Sequence, residues 1–76
     1  MLTQHYTKQE LRQVVKDTFE WCVNKFGSPL KSREVPKLRV RFTGGKNLCG
    51  YYYKRELFVF PDNLTNVHDL VATVVH

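Results

Sequence analysis

Thr7 and Glu10 stand three residues apart, just ahead of a stretch in which Leu11, Val14, Val15, Thr18, Phe19, Cys22, Val23 and Phe26 recur at steps of three and four. The pair reads as a capping box, in which the hydroxyl and the carboxylate each satisfy a backbone N–H that the first helical turn leaves unpaired. The recurring apolar residues then make a single stripe along about five turns of helix. Tyr6 and Leu11 fit a hydrophobic staple around the cap, Gly27 can supply a left-handed end, and Pro29 prevents the helix from resuming. Trp21 falls off the stripe and is expected to cover a second surface. A helix over residues 7–27 that is apolar along one stripe must lie on something. In a chain of 76 residues the rest of the same domain has to supply that surface.

Residues 28–36, "SPLKSREVP", form a connector with a proline near each end. "KLRVRF" after it alternates, with Leu38, Val40 and Phe42 on one side and Lys37, Arg39 and Arg41 on the other, as a strand with one wet face does. "TGGKN" is a turn in which paired glycines provide positive φ, "LCGYYY" is a second strand, "KRE" a tight connection and "LFVF" a third strand, closed by Pro61, Asp62 and Asn63. Short links favour an antiparallel meander over residues 37–60. In the second and third strands both sides carry apolar or aromatic groups, so each face of the sheet calls for cover.

Asn66 can cap a last helix, with Asp69 in its first turn where a negative charge suits the helix dipole. Val67, Leu70, Val71, Val74 and Val75 would form its apolar face, and His76 follows Asp69 by seven and Thr73 by three, on a different flank. No glycine, basic turn or proline closes this helix, so residues 66–76 read as the start of a longer one. The class is α+β: a long amino-terminal helix, a three-stranded antiparallel meander and the start of a second helix, together a single, incomplete domain over residues 1–76.

Charge is unevenly distributed. The net +5 gathers in residues 31–55, which hold eight basic side chains against one acidic, whereas residues 56–76 hold three acidic and none basic. Such a block suits either a solvated face or contact with nucleic acid or an acidic partner. The amino end has no apolar run long enough for a signal peptide or membrane span, which points to the cytoplasm and away from a membrane partner. Cys22 and Cys49 have no metal-ligand spacing and are read as reduced, inward-facing thiols.

The segments "GYY", "ELFVF" and "NLTNVHDLVATVVH" resemble the amino-terminal half of a zincin metallopeptidase domain, of the SprT-like group and similar small bacterial and phage families. In that family a helix of this form carries H-E-x-x-H, and His76 matches the opening histidine. The resemblance implies that His76 is a first zinc ligand. Two histidines four apart on a helix hold the metal, the glutamate between them serves as general base, and a downstream residue completes the site. Those other groups are not among these 76 residues, so zinc is expected only in a longer chain and catalysis is not complete in this one. His68 lies eight residues before His76, about 12 Å along a helix axis, too far to share a metal, and His5 precedes the first helix. A protein or peptide substrate would add as a further strand along "LCGYYY" or "LFVF", and residues 1–76 leave open which. A phage origin would make a virion-associated location an alternative to the cytoplasm.

A different class of function fits the same residues. Lys37, Arg39 and Arg41 with Tyr51, Tyr52 and Tyr53 nearby would suit a small basic module that meets phosphates and stacks bases, or that is held by partner subunits in a larger assembly.

Overall fold

The computed structural model describes residues 5–75. The order is α1 (Lys8–Phe26), β1 (Lys37–Val40), β2 (Gly50–Tyr53), β3 (Glu56–Val59), a 3-10 turn at Pro61–Asn63 and α2 (Val67–Val75). The class is α+β.

α1 begins as the capping pattern requires. Glu10 N–H donates to Thr7 Oγ1 at 3.2 Å, and Thr7 N–H donates to Glu10 Oε1 at 3.0 Å. These bonds from Thr7, its backbone N–H first, hold the Glu10 carboxyl below its usual range. At the other end Gly27 donates its N–H to the Val23 carbonyl at 2.8 Å, but at φ 82° and ψ 179° it combines positive φ with an extended ψ rather than the left-handed helical conformation expected. Leu11, Val15, Phe19 and Cys22 are buried, with Val14 and Val23 packed at their margin. Phe26 departs from the expected stripe. It is 60% exposed and meets Trp21 edge-on at 6.0 Å, because on the last turn of α1 the stripe outruns the surface that covers it.

The sheet has the order β1-β3-β2, with β2 antiparallel and β1 parallel to β3. It is therefore mixed, and the expected antiparallel meander is corrected. Two local facts account for this. Lys54 and Arg55, both at positive φ (49° and 66°), make a two-residue hairpin turn that forces β2 and β3 to be antiparallel neighbours. Residues 41–49 are then long enough to carry the chain from β1 to the far edge. This arrangement gives the centre to β3, whose Leu57 and Val59 have no accessible surface, and leaves the glycine- and tyrosine-rich β2 outside.

Leu57 and Val59 share the inner face with Leu38 and Val40 of β1 and Tyr52 of β2. This face joins the α1 stripe, Leu64, Leu70 and Val74 in one core. The outer face is covered only in part. Phe60 is buried there beneath Gly45, whose missing side chain leaves room for the phenyl ring. Asn63 holds that loop in place by donating from Nδ2 to the carbonyls of Lys46 (2.8 Å) and Leu48 (2.7 Å).

Candidate functional site

The second helix is set by polar bonds at its start and packing along its length. Asn66 Oδ1 accepts from Asp69 N–H at 3.0 Å, capping the helix, and Asp69 Oδ2 accepts from the N–H of Thr65, the residue before the cap, at 3.0 Å. Thr73 donates its hydroxyl back to the Asp69 carbonyl at 2.8 Å. Leu70 and Val74 are buried and Val71 partly so, but Val67 and Val75 are 44% and 48% exposed, so the apolar face is narrower than the sequence predicts. The helix approaches the sheet where β2 has no side chain: a Cβ on Gly50 would lie 2.7 Å from Thr73 Cγ2. Beside that contact, Tyr52 donates its hydroxyl to the Val74 carbonyl at 2.5 Å. Burial, with the neighbouring Cys22 thiol adding to it, pushes the Tyr52 hydroxyl up to about 12. Burial likewise pushes the Cys22 thiol up.

Between β2 and α2 runs an open cleft of about 480 Å³, lined on one side by Cys49, Gly50, Tyr51 and Tyr52 and on the other by Asp69, Ala72 and Thr73. Phe60 N–H donates to the Cys49 carbonyl at 2.9 Å, which fixes the phase of the β2–β3 ladder. In an antiparallel pair the backbone groups alternate in direction, so those of residues 49, 51 and 53 turn to β3 while those of Gly50 and Tyr52 face the open edge. Among the described residues no strand pairs with this edge beside the helix, and the N–H and C=O groups of Gly50 and Tyr52 are directed outward. Of the two segments proposed from the sequence as a substrate-side edge, "LCGYYY" holds the edge and "LFVF" the centre of the sheet.

The other singled-out residues lie elsewhere. Lys37, Arg39 and Arg41 project together from the outer face, where Arg39 Nε meets Glu56 Oε1 at 3.0 Å. Tyr51 and Tyr53 share that face, but Tyr52 points the opposite way and belongs to the core, so the three tyrosines do not form one surface. Cys22 is buried and Cys49 part-buried, both free. His5 and His68 are exposed, and His76 lies outside the described residues. Among the described residues no three His, Cys, Asp or Glu side chains converge to hold a metal ion, and no helix is long and apolar enough to cross a membrane.

Sequence reasoning did not single out Gly50 and Thr73 as a contact, or Tyr52 as the tie between strand and helix. The signal for Gly50 was present, a lone glycine inside a strand pattern, which often marks the close approach of another element. No family model matches the chain, and neither a curated protein nor a solved structure matches it.

Proposed function

We propose that this chain is the substrate-side, amino-terminal portion of a zinc-dependent metallopeptidase domain. One observation carries the proposal: the free edge of β2 runs beside α2 with an open cleft between them. An extended peptide in that cleft would pair with the backbone groups of Gly50 and Tyr52, and its side chains would alternate between the helix and the sheet's outer rim. Such pairing reads backbone rather than sequence, which suits a peptidase of broad specificity.

Asp69, Ala72 and Thr73 are the helix residues on the cleft. In the sequence His76 follows Thr73 by three and Asp69 by seven, the interval at which one row of a helix repeats. His76 as a first zinc ligand is consistent with that row. The remaining ligands and the general base would have to come from residues after it, and no catalytic step is assigned to the residues described. When bound, zinc would supply an activated water and polarise the scissile carbonyl.

The test is metal content and proteolysis of a chain extended past His76. It should hold about one zinc per chain, as a three-ligand catalytic site does, and His76→Ala should abolish both zinc and cleavage of an unfolded protein substrate. Zinc retained after that substitution, or an extended chain that binds none, would overturn the proposal.

A further inference from the structure

We propose that the outer face of the sheet is a binding surface for single-stranded nucleic acid. Its side chains fall into rows across the three strands. Arg39 of β1, Phe58 of β3 and Tyr51 of β2 stand side by side in one row, and Lys37, Glu56 and Tyr53 in the next. Arg41 continues the β1 column, its guanidinium 6.0 Å from the centre of the Phe58 ring. One border of the face is therefore a column of cations, with successive members roughly 6.6 Å apart as alternate residues of a strand are. The centre holds Phe58 and the acidic Glu56, and the other border holds Tyr51 and Tyr53.

The aromatic part is ordered and open. Tyr51 stacks on Phe58 at 5.1 Å and 16° and on Phe60 at 5.9 Å and 26°. These contacts hold the Tyr51 ring in place while 42% of the residue remains exposed. Tyr53, 56% exposed, carries Lys54 Nζ over its ring at 5.4 Å. The acidic member of these two rows, Glu56, is neutralised by Arg39 through Nε.

Two properties select the partner. A second copy of the same face would bring Lys37, Arg39 and Arg41 against their own counterparts, and an apolar protein surface would strip water from those cations without pairing them. A single strand of nucleic acid answers both halves of the face: phosphates track the cation column, and unpaired bases stack on fixed aromatic rings. In a duplex the bases are already stacked on one another, so the aromatic half would have nothing to receive. This face is the opposite side of the sheet from α1 and α2, and its binding does not depend on the peptidase proposal.

The test is fluorescence anisotropy of a labelled oligothymidylate of about 16 nucleotides, the upper site size for a single small domain, titrated with the chain at several salt concentrations. Because Arg39 is already paired with Glu56, the phosphate contacts fall to Lys37 and Arg41, and binding should weaken with salt at a log–log slope of magnitude about 1.4, the value for two phosphates on a single strand. Lys37→Gln with Arg41→Gln should bring that slope close to zero, while Tyr53→Ala should weaken binding about tenfold and leave the slope unchanged. Tyr51→Ala should act likewise; should it unfold the chain by circular dichroism, Tyr53→Ala, on a more exposed ring, decides the aromatic half. No binding at low salt, equal affinity for a matched duplex, or full affinity in a folded Tyr53→Ala chain would overturn the proposal. Self-association of the chain that competes with the oligonucleotide would also overturn it, by assigning the face to a second copy.

Discussion

Tyr52 donates its hydroxyl to the Val74 carbonyl at 2.5 Å, tying the open edge of the sheet to the second helix across the core. The side chain thus holds one wall of the cleft against the other. Replacing it with phenylalanine keeps the ring and removes the bond. Tyr52→Phe is expected to lower stability by about 1–2 kcal/mol, the loss of a hydrogen bond that leaves a carbonyl unpaired, read as a lower urea midpoint with an unchanged slope.

The same hydroxyl sets a pH dependence. Its pKa is raised from the ordinary 10 to about 12, chiefly by burial and secondarily by the Cys22 thiol. Above the ordinary value the unfolded chain releases this proton while the folded chain keeps it, so the contribution is whole below pH 10 and is lost as the pH climbs towards 12. The stability advantage of the natural chain over Tyr52→Phe should therefore shrink across that interval. Parallel urea midpoints for the two chains through the whole interval would contradict this.

Gly50 is where α2 meets the sheet, and Gly50→Ala would place a methyl 2.5 Å from the Phe58 carbonyl oxygen of β3 and 2.7 Å from Thr73 Cγ2 of α2. The expected cost is about 1–3 kcal/mol, as for other additions to a packed contact. Combining it with Thr73→Ala should recover part of the loss, and a double variant no more stable than Gly50→Ala would show that the helix is not the obstacle. Thermal melts of the single and double variants measure this.

Lys54 and Arg55 both hold positive φ in the turn between β2 and β3, a conformation that costs ordinary residues and suits asparagine and glycine. Exchanging the pair for Asn-Gly is expected to stabilise the chain by about 1–2 kcal/mol without altering strand register. A decrease in melting temperature would count against the assigned turn.

Much of the architecture is legible residue by residue. The capping box of Thr7 and Glu10, the Gly27 end, the alternation of Lys37 to Phe42, and Asn66 at the head of α2 are each local, because the groups that satisfy one another lie within a few positions in the chain. Phe26, Val67 and Val75 fit their apolar stripes by spacing yet remain exposed. Periodicity says which way a side chain points but not how far the opposing surface extends.

By itself the sequence determined the α+β class, the positions of the two helices and three strands, and which side of β1 is basic, but not which face of β3 turns inward, since both of its sides are apolar. These follow from periods of 3.6 and 2 and from turn chemistry, all short-range. Only the tertiary structure decided that β3 lies at the centre with β1 parallel to it, that β2 is the free edge beside α2, that Tyr52 joins the core while Tyr51 and Tyr53 stack or stand on the outer face, and that Gly50 is the point of contact with Thr73. Strand order depends on which pairing buries the most apolar surface over the whole chain, a sum over distant residues. The strand apolar on both sides takes the centre, and the strand that yields the edge leaves its backbone free to bind.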